Sequence, residues 1–198
     1  MGLKELKEAM STCVMCGLCE DRTQVVFGEG PPTARVMFVG EAPGEDEDYI
    51  GKPFVGKAGQ KLDKMIQYAG LDRDEVYITN SVLCRPPNNR TPNEQELDAC
   101  HWRLMEEINL INPEIVVVLG KTAYEQLLGT KLKSSLSSHF SNDFKDVTLE
   151  DGSAIDVLVT FHPSYHLRSP DIAYKVSLPH WTLLKTWVAS KRLELQGK

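Results

Sequence analysis

Short apolar runs alternate along this chain with longer segments in which apolar residues recur at helical spacing. The apolar runs cover residues 35–40, 76–84, 115–120 and 157–161, and the helical segments cover residues 57–69, 93–111, 122–128 and about 177–195. Runs that are apolar at nearly every position are typical of strands covered on both faces, and strands that alternate with helices favour a parallel sheet. The pattern therefore predicts an α/β fold, a three-layer sandwich around a central parallel sheet of four strands.

The length and composition suit a single globular domain. The chain has 198 residues, of which 41% are hydrophobic, and it contains no repeat or long flexible linker, so we expect one domain over residues 1–198. No apolar run approaches the roughly 20 residues that span a bilayer. The opening residues, MGLKELKEAMSTC, have the pattern of a charged amphipathic helix and lack the apolar core of a signal peptide. The sequence thus predicts a cytoplasmic protein without a membrane partner.

The net charge of -6 gives little sign of a nucleic-acid partner. Phosphate binding, however, depends on the local field near a cleft more than on net charge. Several basic side chains lie beside the motifs described below, namely Lys52, Lys57, Arg85, Arg90, Lys121, His162, His166 and Arg168. The composition therefore permits DNA binding without indicating it.

Polar or glycine-rich motifs lie at or beyond the end of each predicted strand. They are GEAPG at 40–44, the segment 80–84, GKT at 120–122 and HPS at 162–164. Taken alone, GEAPGEDED at 40–48 fits a simple turn with solvated acids better than a binding site. GKT lacks the upstream glycine of a phosphate-binding loop, because Ile115 occupies that position. Four such ends at one edge of a parallel sheet nevertheless predict a ligand site.

Individual side chains near these strand ends suit a flat, polar ligand. Phe54 lies in a loop between two glycines, where its ring is available for stacking. Asn80 either caps a loop or reads a ligand edge with one donor and one acceptor, which uracil and thymine both present. His162 is the best candidate for a catalytic histidine, because it ends a strand and precedes a rigid proline. Beyond it, Leu167 is suited to wedge between stacked bases and Arg168 to bind phosphate.

Five cysteines occur at positions 13, 16, 19, 84 and 100. Because structural disulfides are rare in the cytoplasm, metal or redox chemistry is favoured. Cys13 and Cys16 form a Cys-x-x-Cys pair, and the two later cysteines are single. One pair with two single cysteines is less typical of zinc and is compatible with an iron–sulfur cluster held by four thiolates. The alternatives are unliganded buried thiols and a ligand set that includes Cys19.

Seven segments occur together in a characteristic order along the chain. They are CVMCGLCEDRT (13–23), GEAPGEDED (40–48), GKPFVGKAG (51–59), YITNSVLCRPPNNRTP (77–92), EQELDAC (94–100), PEIVVVLG (113–120) and HPSYHLR (162–168). The series resembles family 4 uracil-DNA glycosylases, the iron–sulfur class of bacteria and archaea. The resemblance implies a uracil-DNA glycosylase-like fold, a 4Fe-4S cluster as cofactor, and uracil-containing DNA, single- or double-stranded, as substrate.

The resemblance also implies roles for individual residues. The implied cluster ligands are Cys13, Cys16, Cys84 and Cys100, which leaves Cys19 outside. The implied uracil pocket comprises the backbone of Gly40 to Ala42 with Phe54, Asn80 and the catalytic His162. Glu47 is the candidate that fills the space near uracil C5 and so excludes thymine. Ala42 stands where the better-known class of these enzymes has a water-positioning aspartate, so Glu41 and Asn89 are the candidates for that role.

These roles predict an enzyme of base excision repair that flips uracil out of DNA, hydrolyses its N-glycosidic bond and leaves an abasic site. Arg85 and Arg90 are expected to contact DNA next to the cluster, whose role is expected to be structural. We expect a monomer, with a sliding clamp as a candidate partner. Two rival interpretations remain: a non-enzymatic iron–sulfur protein that binds DNA or senses redox state, and a zinc-bound α/β hydrolase.

Overall fold

The strands form one sheet in the computed structural model of this chain, which describes residues 2–149 and 152–196. They are β1 (Val36–Gly40), β2 (Tyr77–Asn80), β3 (Ile115–Leu119), β4 (Lys145–Thr148) and β5 (Ala154–Thr160). Their order across the sheet is β2-β1-β3-β5-β4, with β4 antiparallel at the edge and every other pairing parallel. The predicted α/β sandwich is confirmed, with one strand beyond the four predicted. Positions 1, 150, 151, 197 and 198 of the predicted domain lie outside the described residues.

Helices cover both faces of this sheet. They are α1 (Leu3–Met10), α2 (Glu45–Ile50), α3 (Lys57–Tyr68), α4 (Glu94–Ile111), α5 (Lys121–Leu128), α6 (Pro163–Arg168) and α7 (Pro170–Gln196). Successive strand residues point to opposite faces. In β1, Met37 joins the apolar layer under α4 and α5, whereas Phe38 joins the layer under α3 and α7 and stacks on Trp181 at 5.9 Å. Two buried layers therefore enclose the sheet, as a three-layer sandwich requires.

Elements that the pattern did not predict have polar or proline-rich sequences. Of the four residues in β4 only Val147 is buried, so this edge strand has no apolar run to reveal it. Helices α6 and α7 begin at Pro163 and Pro170. A proline in the first turn sacrifices no intrahelical hydrogen bond, so these prolines start helices rather than prevent them. Helix α7 consequently begins earlier than the predicted position 177.

A buried ion pair joins α4 to the end of β2. The side chains of Arg103 and Glu107 are fully buried and 2.6 Å apart. Glu107 also accepts hydrogen bonds from two β2 hydroxyl groups at 3.0 and 2.9 Å. Arg103 donates to the backbone carbonyls of Asn80 and Ser81 at 2.8 and 2.9 Å. The network fixes the carboxyl end of β2 against the helix that carries Cys100.

Helix α1 packs at the same end of the molecule. Its residues Leu6 and Met10 are buried together with Phe27 and Leu83, and Cys13 packs against this group. The N-terminal cysteines are thereby placed beside the chain that leaves β2. Among the described helices, none combines the length and the apolar character needed to cross a membrane.

Candidate functional site

A cavity of about 530 Å³ opens at the carboxyl edge of the sheet, beside the ends of β1, β2, β3 and β5. Its lining includes many of the residues that the sequence singled out: Glu41, Ala42, Glu47, Phe54, Asn80, Asn89, Arg90, His162 and Arg168. Gly40 lies behind this lining, in contact range of Phe54 and Asn80. Arg85 and Leu167 are outside the lining, and Leu167 is 50% exposed. The strand-end motifs thus meet in one concave site.

The loop that carries Phe54 is held in an uncommon backbone conformation. Phe54 has a φ of 52°, in the left-handed region that non-glycine residues rarely adopt. The Glu47 carboxylate accepts hydrogen bonds from the backbone amides of Val55 and Gly56 at 2.9 and 2.8 Å, and its other oxygen caps the first turn of α2. Arg73 donates to the Phe54 carbonyl at 3.0 Å. These contacts stabilise the loop and fix the aromatic ring in the cavity wall.

Close approach at the base of the cavity depends on a glycine. A Cβ atom at Gly40 would lie 2.4 Å from the ring of Phe54 and 2.4 Å from Oδ1 of Asn80. The absence of a side chain therefore allows both groups to approach the end of β1. On the opposite side, the Phe54 ring lies 5.6 Å from the imidazole of His162. The aromatic ring, the amide and the imidazole consequently share one small space.

Asn80 presents a buried acceptor that has no partner within the described residues. Its side chain is 1% exposed, and Oδ1 receives no hydrogen bond there. Leaving such a group unsatisfied costs about 1–3 kcal/mol. A ligand N–H group placed against Oδ1 would remove this cost, so the amide is suited to recognise a ligand edge.

His162 is positioned as a neutral hydrogen-bond donor. Its Nδ1 accepts a hydrogen bond from the Ser164 amide at 3.2 Å and lies 2.9 Å from the Ser164 hydroxyl. In a neutral imidazole the other nitrogen then carries the proton, so Nε2–H is the donor. Burial lowers the pKa of His162 to about 4, and the positive charge of Arg168 acts in the same direction. Above that pH the ring is uncharged.

Glu41 is oriented by a residue that the sequence analysis did not identify. The hydroxyl of Thr122 donates to Oε2 of Glu41 at 2.6 Å, and both residues line the cavity. Thr122 belongs to the GKT segment, which we placed at a strand end and rejected as a phosphate-binding loop without assigning a role to its threonine. Its position just after a strand end was the signal that could have identified it.

The arginines of the segment after Cys84 are engaged by neighbouring side chains. Arg90 donates to both oxygens of Glu96 at 2.8 and 2.7 Å. Arg85 donates to Oδ1 of Asn89 at 2.8 Å and lies 3.7 Å from Glu45. Contact with DNA would therefore require these arginines to share or exchange partners.

Four cysteines gather beside the β2 end of the cavity. Cys84 and Cys100 are buried in one apolar group, and Cys16 packs against it. Cys16 lies within electrostatic reach of Cys13 and Cys100, and Cys84 within reach of Cys16 and Cys100. Cys19, in the 3₁₀ turn Gly17–Cys19, is half-buried like Cys13 and Cys16, and Arg22 is within electrostatic reach of Cys13, Cys19 and Cys84. The fold thus brings together the ligand set that the family resemblance implies.

The chemistry of these donors fits an iron–sulfur cluster. Burial raises the pKa of the Cys84 thiol to about 11, and a hydrogen bond that Arg22 donates to its Sγ at 3.2 Å opposes this rise. Bound iron would compensate buried thiolates, which are the usual cluster ligands. Within the described ranges, no group of three or more His, Cys, Asp or Glu residues is arranged for a single metal ion. A four-iron cluster makes a different demand, because each thiolate binds its own iron atom.

Comparison with known proteins identifies relatives over most of the chain. A family model described as the uracil DNA glycosylase superfamily matches residues 27–185. A type-4 uracil-DNA glycosylase of Thermotoga maritima is 43% identical over 170 residues, which cover 83% of this chain and 82% of the relative. One from Sulfurisphaera tokodaii is 42% identical over 86% of this chain and 78% of its own length. One from Saccharolobus solfataricus is 40% identical over 97% of this chain and 89% of its own length.

Proposed function

This chain belongs to the uracil-DNA glycosylase superfamily and has uracil-DNA glycosylase activity, and we propose that the cavity is where uracil is bound and released. Uracil leaves the DNA stack, enters the cavity and loses its N-glycosidic bond, which leaves an abasic site for base excision repair. The observation that carries this assignment is the buried acceptor of Asn80, which has no partner among the described residues and lies beside the neutral imidazole of His162.

Uracil recognition is assigned to Asn80 and Phe54. Uracil N3–H supplies the missing donor for Oδ1 of Asn80, and the amide group of the same side chain faces uracil O4. The ring of Phe54 provides a flat surface on which the base stacks. The backbone amides of Gly40 to Ala42 complete the pocket at the end of β1. Thymine presents the same hydrogen-bonding edge, so this recognition needs a separate discriminator.

Glu47 is assigned that discriminating role. Its carboxylate is held by three backbone amides and lines the cavity, so it cannot easily move away from a larger base. A methyl group on C5 would meet a fixed, charged wall. Exclusion then follows from steric overlap and from the cost of burying a carboxylate against a methyl group.

His162 is assigned to the departing base. When the bond between C1′ and N1 breaks, the bonding electrons stay with uracil and negative charge develops on O2. The Nε2–H donor of His162 stabilises this anion in a cavity from which the bound base excludes water. A neutral donor is sufficient, so no proton transfer to uracil is required.

Glu41 and Asn89 are assigned to the attacking water. The Glu41 carboxylate, oriented by Thr122, accepts a proton from the water as its oxygen bonds to C1′. Asn89 lines the same cavity and is a second polar group that can hold the water. The products are an abasic sugar that carries the new hydroxyl group and uracil as its anion.

DNA contacts are assigned to the rim of the cavity. Leu167 is exposed next to Arg168, so it can fill the gap that a flipped base leaves while Arg168 meets a phosphate. Arg85 and Arg90 remain candidates for the other side of the rim. Flipping the nucleotide costs roughly a few kcal/mol, and these contacts offset that cost.

Uracil release from a defined oligonucleotide tests the assignment. The protein should free uracil from single- and double-stranded DNA and leave thymine and hypoxanthine in place. His162→Ala should bind the same DNA and release uracil far more slowly. DNA binding without uracil release by the wild-type protein would contradict the proposal.

We further propose that Cys13, Cys16, Cys84 and Cys100 hold a 4Fe-4S cluster. Such a cluster supplies iron–thiolate bonds and the capacity to carry an electron, and glycosidic hydrolysis uses no electron transfer. Its assigned role is structural: it cross-links the N-terminal segment to α4 and to the chain after β2. The support is the burial of Cys84 and Cys100 in one apolar group, the contact of half-buried Cys16 with that group, the electrostatic reach of Cys16 to Cys13, and the hydrogen bond from Arg22 to Cys84.

Metal analysis and cysteine variants test the cluster. The purified protein should be brown and contain iron and inorganic sulfide in near-equal amounts. Cys100→Ser should lose iron and unfold at lower urea, whereas Cys19→Ser, the matched control, should retain both iron and stability. Zinc in place of iron, or iron loss in Cys19→Ser, would contradict the ligand assignment.

Other attributes remain predictions from the sequence. They are a single domain over the whole chain, a monomeric state, a cytoplasmic location and a sliding-clamp partner. Sedimentation with and without a clamp measures two of them directly.

A further inference from the structure

A second depression, of about 490 Å³, adjoins the cavity between α3 and the start of α7. Its lining residues are Lys61, Pro170, Asp171, Tyr174 and Lys175. Residues that are neighbours along the chain line the cavity and the depression. Helix α3 contributes Ala58 to the cavity and Lys61, one turn later on the same face, to the depression. Arg168 of the cavity precedes Pro170 of the depression by two residues. A DNA strand that leaves the cavity past Arg168 therefore reaches the depression next.

Cations at this depression are available to a ligand. Lys61, Lys175 and Arg168 form no ion pair within residues 2–149 and 152–196. By contrast, Arg90 binds both oxygens of Glu96. Asp171 is the one carboxylate among the described residues that line the depression. Lys61 is also near enough to His166 to help lower the pKa of that imidazole, after the larger effect of burial. With two lysines and one aspartate, the lining of the depression carries a net charge of +1.

An exposed aromatic side chain lines the same depression, since Tyr174 is 55% exposed. An aromatic ring beside unpaired cations is the combination with which proteins bind unpaired nucleotides, because the ring stacks on a base while the cations hold the backbone.

We propose that this depression binds the nucleotide next to the flipped uracil, with Lys61 and Lys175 on its phosphates and the Tyr174 ring stacked on its base. The inference rests on the proposed function, because it requires the uracil of the same strand to occupy the cavity. Binding at the depression holds the DNA on one side of the uracil, whichever base lies there. It also adds to the arginines at the rim two lysines that form no ion pair within the described residues.

Charge-removal variants test the lysines. The probe is an oligonucleotide whose single deoxyuridine has a non-hydrolysable glycosidic bond, titrated at several salt concentrations. Lys61→Gln/Lys175→Gln should weaken binding and reduce the slope of log K against log salt by about 0.7 to 0.9 for each phosphate that is no longer neutralised. Lys133→Gln/Lys145→Gln removes the same charge away from the cavity and the depression and should keep the wild-type slope. At saturating uracil-DNA, the kcat of both double variants should match wild type.

Tyr174 is tested by a matched pair of variants. Tyr174→Ala should weaken binding of the same probe about 5- to 150-fold, the range for removal of one stacking interaction. Tyr174→Phe keeps the ring and should bind as wild type does. Equal weakening by both variants would show that the hydroxyl acts rather than the ring, and would overturn the stacking assignment.

Truncated probes locate the contact. Removing the nucleotides on one side of the uracil should abolish the difference in probe affinity between Lys61→Gln/Lys175→Gln and the wild-type protein. Removing the nucleotides on the other side should preserve that difference. A difference that survives both truncations, or a wild-type salt slope in the variant, overturns the inference while uracil release by the wild-type protein still stands. Failure of the wild-type protein to release uracil would instead overturn the proposed function.

Discussion

The cavity and the four-cysteine group begin at the same strand but are stabilised in opposite ways. Asn80 ends β2 inside the cavity, and Cys84 follows four residues later inside the cysteine group. In the cavity, protein hydrogen bonds orient the side chains of Glu41, Glu47 and His162. In the cysteine group, burial disfavours the thiolates that a metal needs. The cavity is thus preorganised for a passing ligand, whereas the cysteine group would be completed by the resident cluster that we propose.

Two short connections couple these regions. Two consecutive residues of α2 contact the two regions. Glu47 accepts hydrogen bonds from the Phe54 loop of the cavity. Asp48 accepts a hydrogen bond, with both oxygens at 3.0 Å, from the backbone amide of Thr23 in the N-terminal segment that carries the cysteines. Helix α4 carries Cys100 and, one turn later, Arg103, which binds the carbonyl of Asn80. A change at either connection should therefore affect both regions, whereas a change inside one region should leave the other intact.

The largest effect is expected at the buried ion pair, where both regions are joined. Arg103→Met leaves the Glu107 carboxylate buried without its cation, which should lower the free energy of unfolding by about 3–5 kcal/mol. Urea unfolding measures this loss. Arg192→Met removes an exposed pair with Glu75 and should cost only about 0.2–1 kcal/mol. Equal urea midpoints for Arg103→Met and Arg192→Met would contradict this expectation, because the buried pair would then stabilise the protein no more than an exposed pair does.

Within the cavity alone, His162 should have the largest effect. His162→Ala removes the donor to uracil O2, so the single-turnover rate should fall about 100- to 1000-fold, or roughly 2.7–4 kcal/mol. Iron content and the urea midpoint should stay at wild-type values, because the side chain does not contact the cysteine group. Iron loss in this variant would show that the two regions are less separate than their contacts indicate.

A smaller loss is expected when Glu41 remains but its orientation is released. Thr122→Val removes the hydroxyl that donates to Glu41 while keeping the shape of the side chain. Loss of a hydrogen bond to a charged group, at roughly 1.5 kcal/mol, corresponds to about a tenfold slower single-turnover rate. Thr122→Ser keeps the hydroxyl and should be close to wild type. A wild-type rate in Thr122→Val would remove Thr122 from the mechanism and leave Glu41 to be tested by itself.

Sequence patterns were most informative where apolar periodicity determines structure. The core strands β1 and β3 are apolar because both faces are buried, and their positions follow from that alone. In β5 the same holds from Val157 onwards, whereas the strand begins at Ala154, three residues before the predicted run. The edge strand β4 is half-exposed and lacks this signal. The acidic run that forms α2 resembled a solvated loop. Glu47 and Asp48 are nevertheless buried, and backbone amides donate hydrogen bonds to their carboxylates. These amides belong to other segments of the chain, and the periodicity of one segment does not show which other segment it contacts.

The same limit applies to charged residues at the site. Arg90 and Lys61 are both basic residues close to a motif in the sequence, yet the sequence analysis singled out only Arg90. Only the fold shows that Arg90 is paired with Glu96, whereas Lys61 faces an open depression without an ion pair in the described ranges. Predicting which cation is free requires knowing which carboxylates lie near it in space, and a single sequence does not contain that distance.

The smallest expected effect is the response of the cavity to pH. With a pKa of about 4, the His162 imidazole is neutral above that value, so the single-turnover rate should show no decline near 6.5, where an unperturbed histidine becomes charged. NMR titration of this imidazole measures the pKa directly. Arg168→Gln removes the smaller of the two causes that lower it, so the pKa should rise while remaining below 6.5, since burial persists. A wild-type pKa near 6.5 would mean that the ring is hydrated, and the cavity would then lack the preorganised neutral donor that distinguishes it from the cysteine group.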